Sequence, residues 1–595
     1  MALFKHAKVF LTMKLPIPLL TILFFFFITG MVSSQITNPR HPAEWEEVSA
    51  ILMEGDLLIA YPTLWDEAID PFIKVAHACI DEGVNLYVID PDTGAANYST
   101  QFVNMDTVFS NRGLISPFIH IIHVHNAFDN FPWARDNGPY TIYENQVGTK
   151  YFGGFSDDSA AAFLAQYVGE NFIPLPRVNS DPFYYDGGNW VTDGHGTFNI
   201  CNTTASSFVN GVVEPPILSF AYLGLQKTLN VTGVDVHADY WLKLIDEETF
   251  VTGYLPRSNY DKDPMGYRNS QAYIDSGVTD IKTYLQSVFG RGFKFHPIQN
   301  APSFNDGTIN TTYLTEVASY TNSLIINKTV LVPQYTYEPY DSLALMTYRY
   351  LMPGYNVIGV NCRQYAVGAG GLHCITREIY ADNPIYIRHP WLPDSLNQTT
   401  DYRIEALVMS TGGIASVSLF WTTDTSTGFN EIAMMPIGND NYQAFIPGQD
   451  YGITINYYIT TTNNSGKIIS KPMVAPKGYF KTLIDPGGVT GVGEKPIAGE
   501  IPQEFSLNQN YPNPFNPQTI IHYNIPKSAH VELKIFNIQG QLIQSLVDEI
   551  KPAGSYRAIW DGKNKKGISQ ASGVYFYQLR ANDKFVETKR MLLLR

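Results

Sequence analysis

The sequence predicts a mixed α/β domain followed by two all-β sandwiches of immunoglobulin type, and three patterns carry that reading. Between Glu47 and about Tyr380, strand-like apolar runs alternate with helical ones. From Pro384 the chain turns Thr-, Tyr- and Ile-rich, with strands separated by Asn, Asp, Gly and Ser. A Gly/Pro-rich break from Pro486 to Pro502 then precedes a further strand-rich segment. At 595 residues the chain exceeds one ordinary domain, which takes about 100 to 200 residues. We divide it into a leader 1–34, an α/β domain 35–383, a sandwich 384–484, a linker 485–503 and a terminal β domain 504–595.

In the leader, Lys5, Lys8 and Lys14 precede an apolar run from Leu19 to Phe27, which is followed by Val32-Ser33-Ser34 before Gln35. This is the layout of a cleaved secretory signal peptide; the run is short for a membrane span and is preceded by Pro16 and Pro18. No second stretch is long enough to cross a bilayer, so we expect an exported chain with no integral membrane segment after cleavage. In the α/β domain the pattern predicts a helix over 72–83 and strands over 85–89, 118–124, 324–332 and 355–360. Strands over 414–420 and 453–460 belong to the sandwich, and strands over 531–536 and 573–577 to the terminal domain. Periodicity does not fix the topology, and no internal repeat is visible in the letters.

Composition narrows the function classes. Hydrophobic residues make up 45% and charged residues 16%, with 38 Tyr and 34 Phe, a globular and strand-favouring balance. A formal charge of -15 with no basic cluster speaks against nucleic acid and suits a cationic substrate. The four cysteines, at 79, 201, 362 and 374, are too few for a disulfide scaffold, and a bridge between Cys362 and Cys374 is the one conceivable pairing of interest. No zinc-type Cys or His spacing occurs.

The α/β domain centres on Gly370-Gly371-Leu372-His373-Cys374-Ile375-Thr376. Two glycines allow close approach of a substrate, and we read Cys374 as a nucleophile rather than a buried apolar filler. Upstream lie Trp133-Ala134-Arg135-Asp136-Asn137-Gly138-Pro139, then Gly187-Gly188-Asn189 with Asp193-Gly194-His195-Gly196, then His237-Ala238-Asp239. Tyr320-Thr321-Asn322 and Pro42-Ala43-Glu44-Trp45-Glu46 complete the set. Together, over residues 38–385, these resemble the guanidine-modifying superfamily, in its agmatine deiminase and bacterial peptidyl-arginine deiminase branch.

The resemblance implies a five-bladed pseudo-symmetric α/β propeller, the pentein fold, around one central site. It also implies hydrolysis of a guanidinium through a covalent cysteine thiouronium, with no cofactor and no metal in the chemistry. In that reaction Asp136 and Asp239 pair with the planar cation, and His237 moves the proton. If the chain around 234–240 is extended, His237 and Asp239 face one ligand. Trp133 is the wall against the arginine stem, Asn322 a hydrogen-bonding group for the substrate, and Gly188 with Asn189 shape the floor. Asp186 stands where the family commonly has glutamate. His373, next to Cys374 on what reads as a strand, is expected to face away and receives no role.

The terminal domain, with Tyr511-Pro512-Asn513-Pro514-Phe515-Asn516-Pro517, Trp560-Asp561-Gly562 and a basic, leucine-rich end, resembles the C-terminal sorting domain of type IX secretion. That resemblance implies a partner in the secretion machinery and a cell-surface or secreted location, reached through the periplasm. Export favours arginine in peptides as substrate over agmatine. The stretch from Tyr140 to Ala162 contains Lys150 and no arginine, so a bidentate clamp for a C-terminal carboxylate is not expected there. Asp157 and Asp158 are candidates to face a cationic end or to cap a helix at Ser159. Two rival readings remain open: a metal-dependent amidohydrolase using His120, His123 and His125 with His237 and Asp239, and a non-enzymatic surface adhesin.

Overall fold

The structure, a computed structural model, describes residues 36–55, 65–91, 104–124, 134–154, 159–175, 188, 191–195, 199–202, 228–231, 237–254, 271–289, 293–301, 318–367, 370–392, 400–484, 504–510, 513, 515, 519–551, 554–582 and 585–593. The leader, the linker 485–503, Trp133, Asn189, Asp186, His125, Asp157 and Asp158 lie outside these, as does the side chain of Asp136. Among the described residues no helix is long and apolar enough to cross a membrane.

The first strand, β1 (Val48–Glu54), takes β2 (Asn85–Pro91) as a parallel neighbour, and β3 (Ile119–Val124) extends the sheet in parallel. A parallel pair needs a crossover, and helix α1 (Trp65–Glu82) supplies it. Phe72, Val75, Ala76 and Cys79 recur at helical spacing and are all fully buried, which fixes the face that packs on the sheet. A shorter helix, α2 (Met105–Asn111), precedes β3, with the Asn104 side chain capping its start by accepting from Thr107 N.

Four more sheets repeat one plan, an antiparallel pair with a third strand added in parallel. After helix α3 (Ala134–Asn137) come β4 (Tyr140–Tyr143) and β5 (Lys150–Gly154), then helix α4 (Ala160–Val168) and β6 (Asn171–Pro174). The next sheet holds β7 (Val191–Thr192), β8 (Asn199–Asn202) and β9 (Thr228–Val231). Then come β10 (Leu242–Leu244), β11 (Thr249–Tyr254), helix α5 (Gln271–Phe289) and β12 (Lys294–Gln299). The last is β13 (Leu324–Ile326), β14 (Thr329–Gln334), helix α6 (Tyr340–Leu351) and β15 (Asn356–Asn361).

After helix α7 (Arg363–Val367), strand β16 (Thr376–Tyr380) returns to pair antiparallel with β1. The first sheet thereby acquires the same order as the others, its leading strand supplied from the end of the domain. The repeat absent from the letters is present in the backbone. The single strand expected over 324–332 is instead the hairpin β13–β14, turned at Asn327, whose φ of 50 suits an asparagine. Helix α4 is capped by Ser159 itself, whose side chain accepts from Ala162 N.

Residues 384–484 form antiparallel sheets of four and five strands that share one core, with Ile404 and Val408 of one facing Leu419, Ile455 and Ile459 of the other. This sandwich is tied to the α/β domain by Glu247, which lies 2.7 Å from Lys471 Nζ and accepts from His389 N. Glu248 accepts from Trp391 N, and Glu47 pairs with Lys467. Residues 504–593 form a second all-β unit of three- and four-stranded antiparallel sheets around Tyr523, Leu533, Trp560 and Tyr577.

Candidate functional site

The motif residues fall at one structurally equivalent place, the stretch entering the antiparallel pair of each sheet. Helix α3 with Gly138 precedes β4, Gly188 precedes β7, a single tight turn Ala238–Tyr240 precedes β10, Ser319 to Ser323 precede β13, and the turn 372–375 precedes β16. Five chain segments far apart in sequence are thereby brought to one locus.

Side chains and backbone stitch four of these entrances together. Arg135 N donates to Cys374 O and Arg135 Nε to His373 O. Asn322 accepts His373 N–H at Oδ1, 2.8 Å away, and its Nδ2 donates to Cys374 Sγ at 3.4 Å. Thr321 Oγ1 donates to Asp239 O, and Ser319 Oγ to Tyr240 O. Gly188 completes the contact. A Cβ there would lie 2.4 Å from His237 Nδ1 and 3.2 Å from Asp239 Oδ1, so only glycine leaves those two side chains their positions. Gly371 does the same for Asn322, whose Oδ1 would be 2.4 Å from an added Cβ.

Cys374 is buried, 6% exposed, with its sulfur 3.7 Å from Asp239 Oδ2. The same oxygen is 2.8 Å from His373 Nδ1, and the opposite nitrogen of that ring is 3.1 Å from Glu44 Oε1. Glu44 in turn pairs with Lys243, which also donates to Ser323 O. Glu378, 4.0 Å from His373 Nε2, is held at two points by Arg135, at 2.7 and 3.0 Å. Burial alone would raise both carboxyls. His373 and Lys243 instead hold Glu44 well below the usual range, and Arg135 holds Glu378 below it. Behind Cys374 lies a set of alternating charges, buried except for the partly exposed Glu44.

Several expectations change. Residues 238–240 form a tight helical turn rather than a strand, so His237 and Asp239 do not meet by alternation; they converge on Gly188 because the turn curls the chain back. Likewise 372–375 is a turn, which has no facing rule, and His373 reaches Asp239 from the same side as Cys374. Asn322 spends its amide on Cys374 and His373 rather than presenting it outward. Arg135 pairs with Glu378, and Cys362 and Cys374 form no disulfide. Sequence reading missed Lys243 and Glu378 as site components and gave no role to Glu44, Arg135 and His373, which lie inside the motifs; for Lys243 the available signal was a charge inside an apolar run, Leu242-Lys243-Leu244.

Of the histidines offered for a metal, His120 Nε2 contacts Asn85 and its ring stacks on Tyr87, while His123 lies 2.7 Å from Asp106 and 3.5 Å from Asp90. Glu44, His373 and Glu378 bring three ligand atoms within 4.8 Å of one another. Lys243 and Arg135 already neutralise both carboxylates, so a divalent cation there would face two fixed positive charges. The donor set does not fit a metal.

A profile of the FlgD Ig-like domain matches residues 517–584. Among curated relatives, a protein of Enterococcus faecalis that carries the provisional name agmatine deiminase is 26% identical over 330 residues, covering 48% of this chain and 86% of its own. Among solved structures, the agmatine deiminase of C. jejuni is 17% identical and covers 58% of this chain and 96% of its own, with a TM-score of 0.44. That of Enterococcus faecalis is 19% identical with the same coverages and a TM-score of 0.43. The decisive match spans the five sheets and every entrance that builds the site. By the profile matching residues 40–379, the chain belongs to the Porphyromonas-type peptidyl-arginine deiminase family.

Proposed function

We propose that the protein hydrolyses the guanidinium of arginine, converting peptidyl-arginine to peptidyl-citrulline with release of ammonia. The observation that carries this is the division of labour within Asp239. Its Oδ2 serves His373 and Cys374, while Oδ1 is buried with no hydrogen-bond partner among the described residues. An unpaired buried carboxylate oxygen is costly, and a guanidinium N–H is the donor that would satisfy it while bringing the guanidinium carbon toward the sulfur.

In the proposed sequence the Cys374 thiolate forms a bond to the guanidinium carbon, and the C=N electron pair moves onto nitrogen. His237 delivers a proton, the C–N bond breaks and ammonia leaves. Water then attacks the thiouronium carbon as His237 takes its proton, and the C–S bond breaks with its pair returning to sulfur. Asp136 pairs with the cation alongside Asp239, Trp133 walls the arginine stem, and Gly188 with Asn189 forms the floor. The chemistry calls on no cofactor. We read the five repeated sheets as the five blades of a propeller, with the entrances lining its central site. The leader and the terminal domain make the enzyme an exported one, addressed through type IX secretion.

A second reading, agmatine deiminase, is favoured by the names of the curated relatives. Ureido product is to be measured from agmatine, free arginine, and blocked and unblocked arginyl peptides, with Cys374→Ala as the control. We expect arginyl peptides to be used and the variant to be inactive with its fold intact. Agmatine preferred by about a hundredfold, ~2.7 kcal/mol at the transition state, would overturn the peptidyl assignment; an active Cys374→Ala would overturn the mechanism.

A further inference from the structure

Where the α/β domain meets the sandwich lies a partly open pocket of about 90 Å³, walled by Trp45, Asp246 and Tyr355 of the first and by Trp391, Lys471 and Phe480 of the second. A single water needs roughly 10 to 15 Å³, so the pocket has room for a head group of several heavy atoms. Its walls carry four charged residues, Glu46, Glu47, Asp246 and Lys471. Three are answered within the protein: Glu46 by Arg40 at 2.6 Å, Glu47 by Lys467 at 2.6 Å, and Lys471 by Glu247 at 2.7 Å. Asp246 forms no ion pair among the described residues; its Oδ1 accepts from Glu248 N at 2.9 Å, and burial pushes its carboxyl up. Lys294, at the start of β12, keeps its ammonium 3.9 Å from the centre of the Trp391 ring instead.

We propose that this pocket is a second binding site, which takes the guanidinium of an arginine side chain in a peptide, apart from the arginine that is hydrolysed. The ligand follows from the walls. A carboxylate drawn out of water without a cation is costly, and a guanidinium answers it with two charge-assisted hydrogen bonds. The same planar ion stacks on aromatic faces, which a compact ammonium does not. The choice of a peptide as its source rests on the peptidyl reading of the function; the pocket and its charge do not.

The pocket shares its framework with the candidate site. Trp45 follows Glu44, which lies 3.1 Å from His373, and Asp246 stands two residues after β10, whose Lys243 pairs with Glu44. A peptide held at the joint therefore touches the same two segments that carry the buried charges.

The test is binding of Nα-acetyl-arginine amide to the full-length Cys374→Ala protein, grown with fluorotryptophan. The fluorine resonance of Trp391, assigned with Trp391→Phe, is followed against ligand concentration. We expect it to titrate, and Asp246→Asn, which keeps an acceptor for Glu248 N, to need at least about tenfold more ligand because a charged hydrogen bond is lost. Nα-acetyl-citrulline amide has nearly the same shape without the charge and should leave the resonance in place over the same range. A resonance that ignores the arginine compound, or that moves equally in Asp246→Asn or equally with citrulline, would overturn the proposal. The citrulline arm needs no change at Asp246, so it decides the matter should Asp246→Asn fail to fold. Because no arm needs turnover, absence of ureido product from the parent protein would sink the deiminase reading and leave this measurement to stand separately.

Discussion

Asp239 and His373 meet inside the protein with Oδ2 2.8 Å from Nδ1, while the far nitrogen of the ring lies 3.1 Å from Glu44. The ring is thus wedged between two carboxylates, with its hydrogen bond made at the Asp239 side. The contact orients Asp239, turning Oδ2 to the ring and leaving Oδ1 as the oxygen that the proposed reaction assigns to the guanidinium. His373→Ala should therefore lower kcat/KM by about a hundredfold, with KM rising, because a carboxylate without its donor no longer holds one orientation. His373→Gln, which retains one donor, should recover part of the loss. Equal kinetics for all three proteins would show that Asp239 is held by other means.

Gly188→Ala tests the packing under His237. An added methyl would lie 2.4 Å from Nδ1, so the histidine has to shift. Displacement of a proton-transfer group by about 1 Å costs on the order of a hundredfold in rate. We expect kcat to fall by at least tenfold in a variant that remains folded, because position 188 is buried directly against His237 and Asp239. An active Gly188→Ala would remove His237 from the mechanism.

The motifs were legible because each is a short run of chemistry-bearing residues, and α1 was legible because Phe72, Val75, Ala76 and Cys79 keep helical spacing. Local geometry was not. An H-x-D spacing suits a strand and a tight turn equally, and in the turn 372–375 the alternation argument placed His373 on the wrong side. The fivefold repeat was hidden because it resides in backbone pairing. β7 has two residues and β11 six, with crossovers of unrelated length, so no side-chain pattern recurs. The buried charges join positions such as Glu44, Lys243 and Glu378 that no local window spans.

Glu247 predicts how the joint between the α/β domain and the sandwich responds to acid. Burial alone would raise its carboxyl, but Lys471 and His195 bring it down to about 2, against an ordinary value of about 4.5. A depressed carboxylate contributes stability that is fully present above the unfolded value and is lost as pH falls from about 4.5 through about 2. The contribution is on the order of 3 kcal/mol. Glu247→Gln should melt lower than the parent at pH 7, with the gap closing as pH drops through that window. A gap independent of pH would mean that the ionised form is not what ties the two units.

The last prediction concerns what the site accepts at the substrate backbone. Lys150, the one cation between Tyr140 and Ala162, is buried on β5, 2.9 Å from Glu170 and paired also with Asp382, with its ammonium 5.6 Å from the centre of the Phe152 ring. An ammonium with two carboxylate partners has little left to offer a third, and lysine lacks the planar fork that grips a carboxylate at two points. Nothing on this stretch then rewards a free C-terminal carboxylate. Amide-blocked and internal arginine should be used at least as well as C-terminal arginine, and Lys150→Met should lower the melting temperature while leaving the ratio of kcat/KM for blocked and unblocked peptides unchanged. A clamp at Lys150 would behave otherwise: losing a charged hydrogen bond of about 1.5 to 3 kcal/mol would raise KM for the unblocked peptide alone by roughly 10- to 150-fold. That selective rise, measured against an amide-capped peptide of the same sequence, would return the C-terminal arginine to the centre of the specificity.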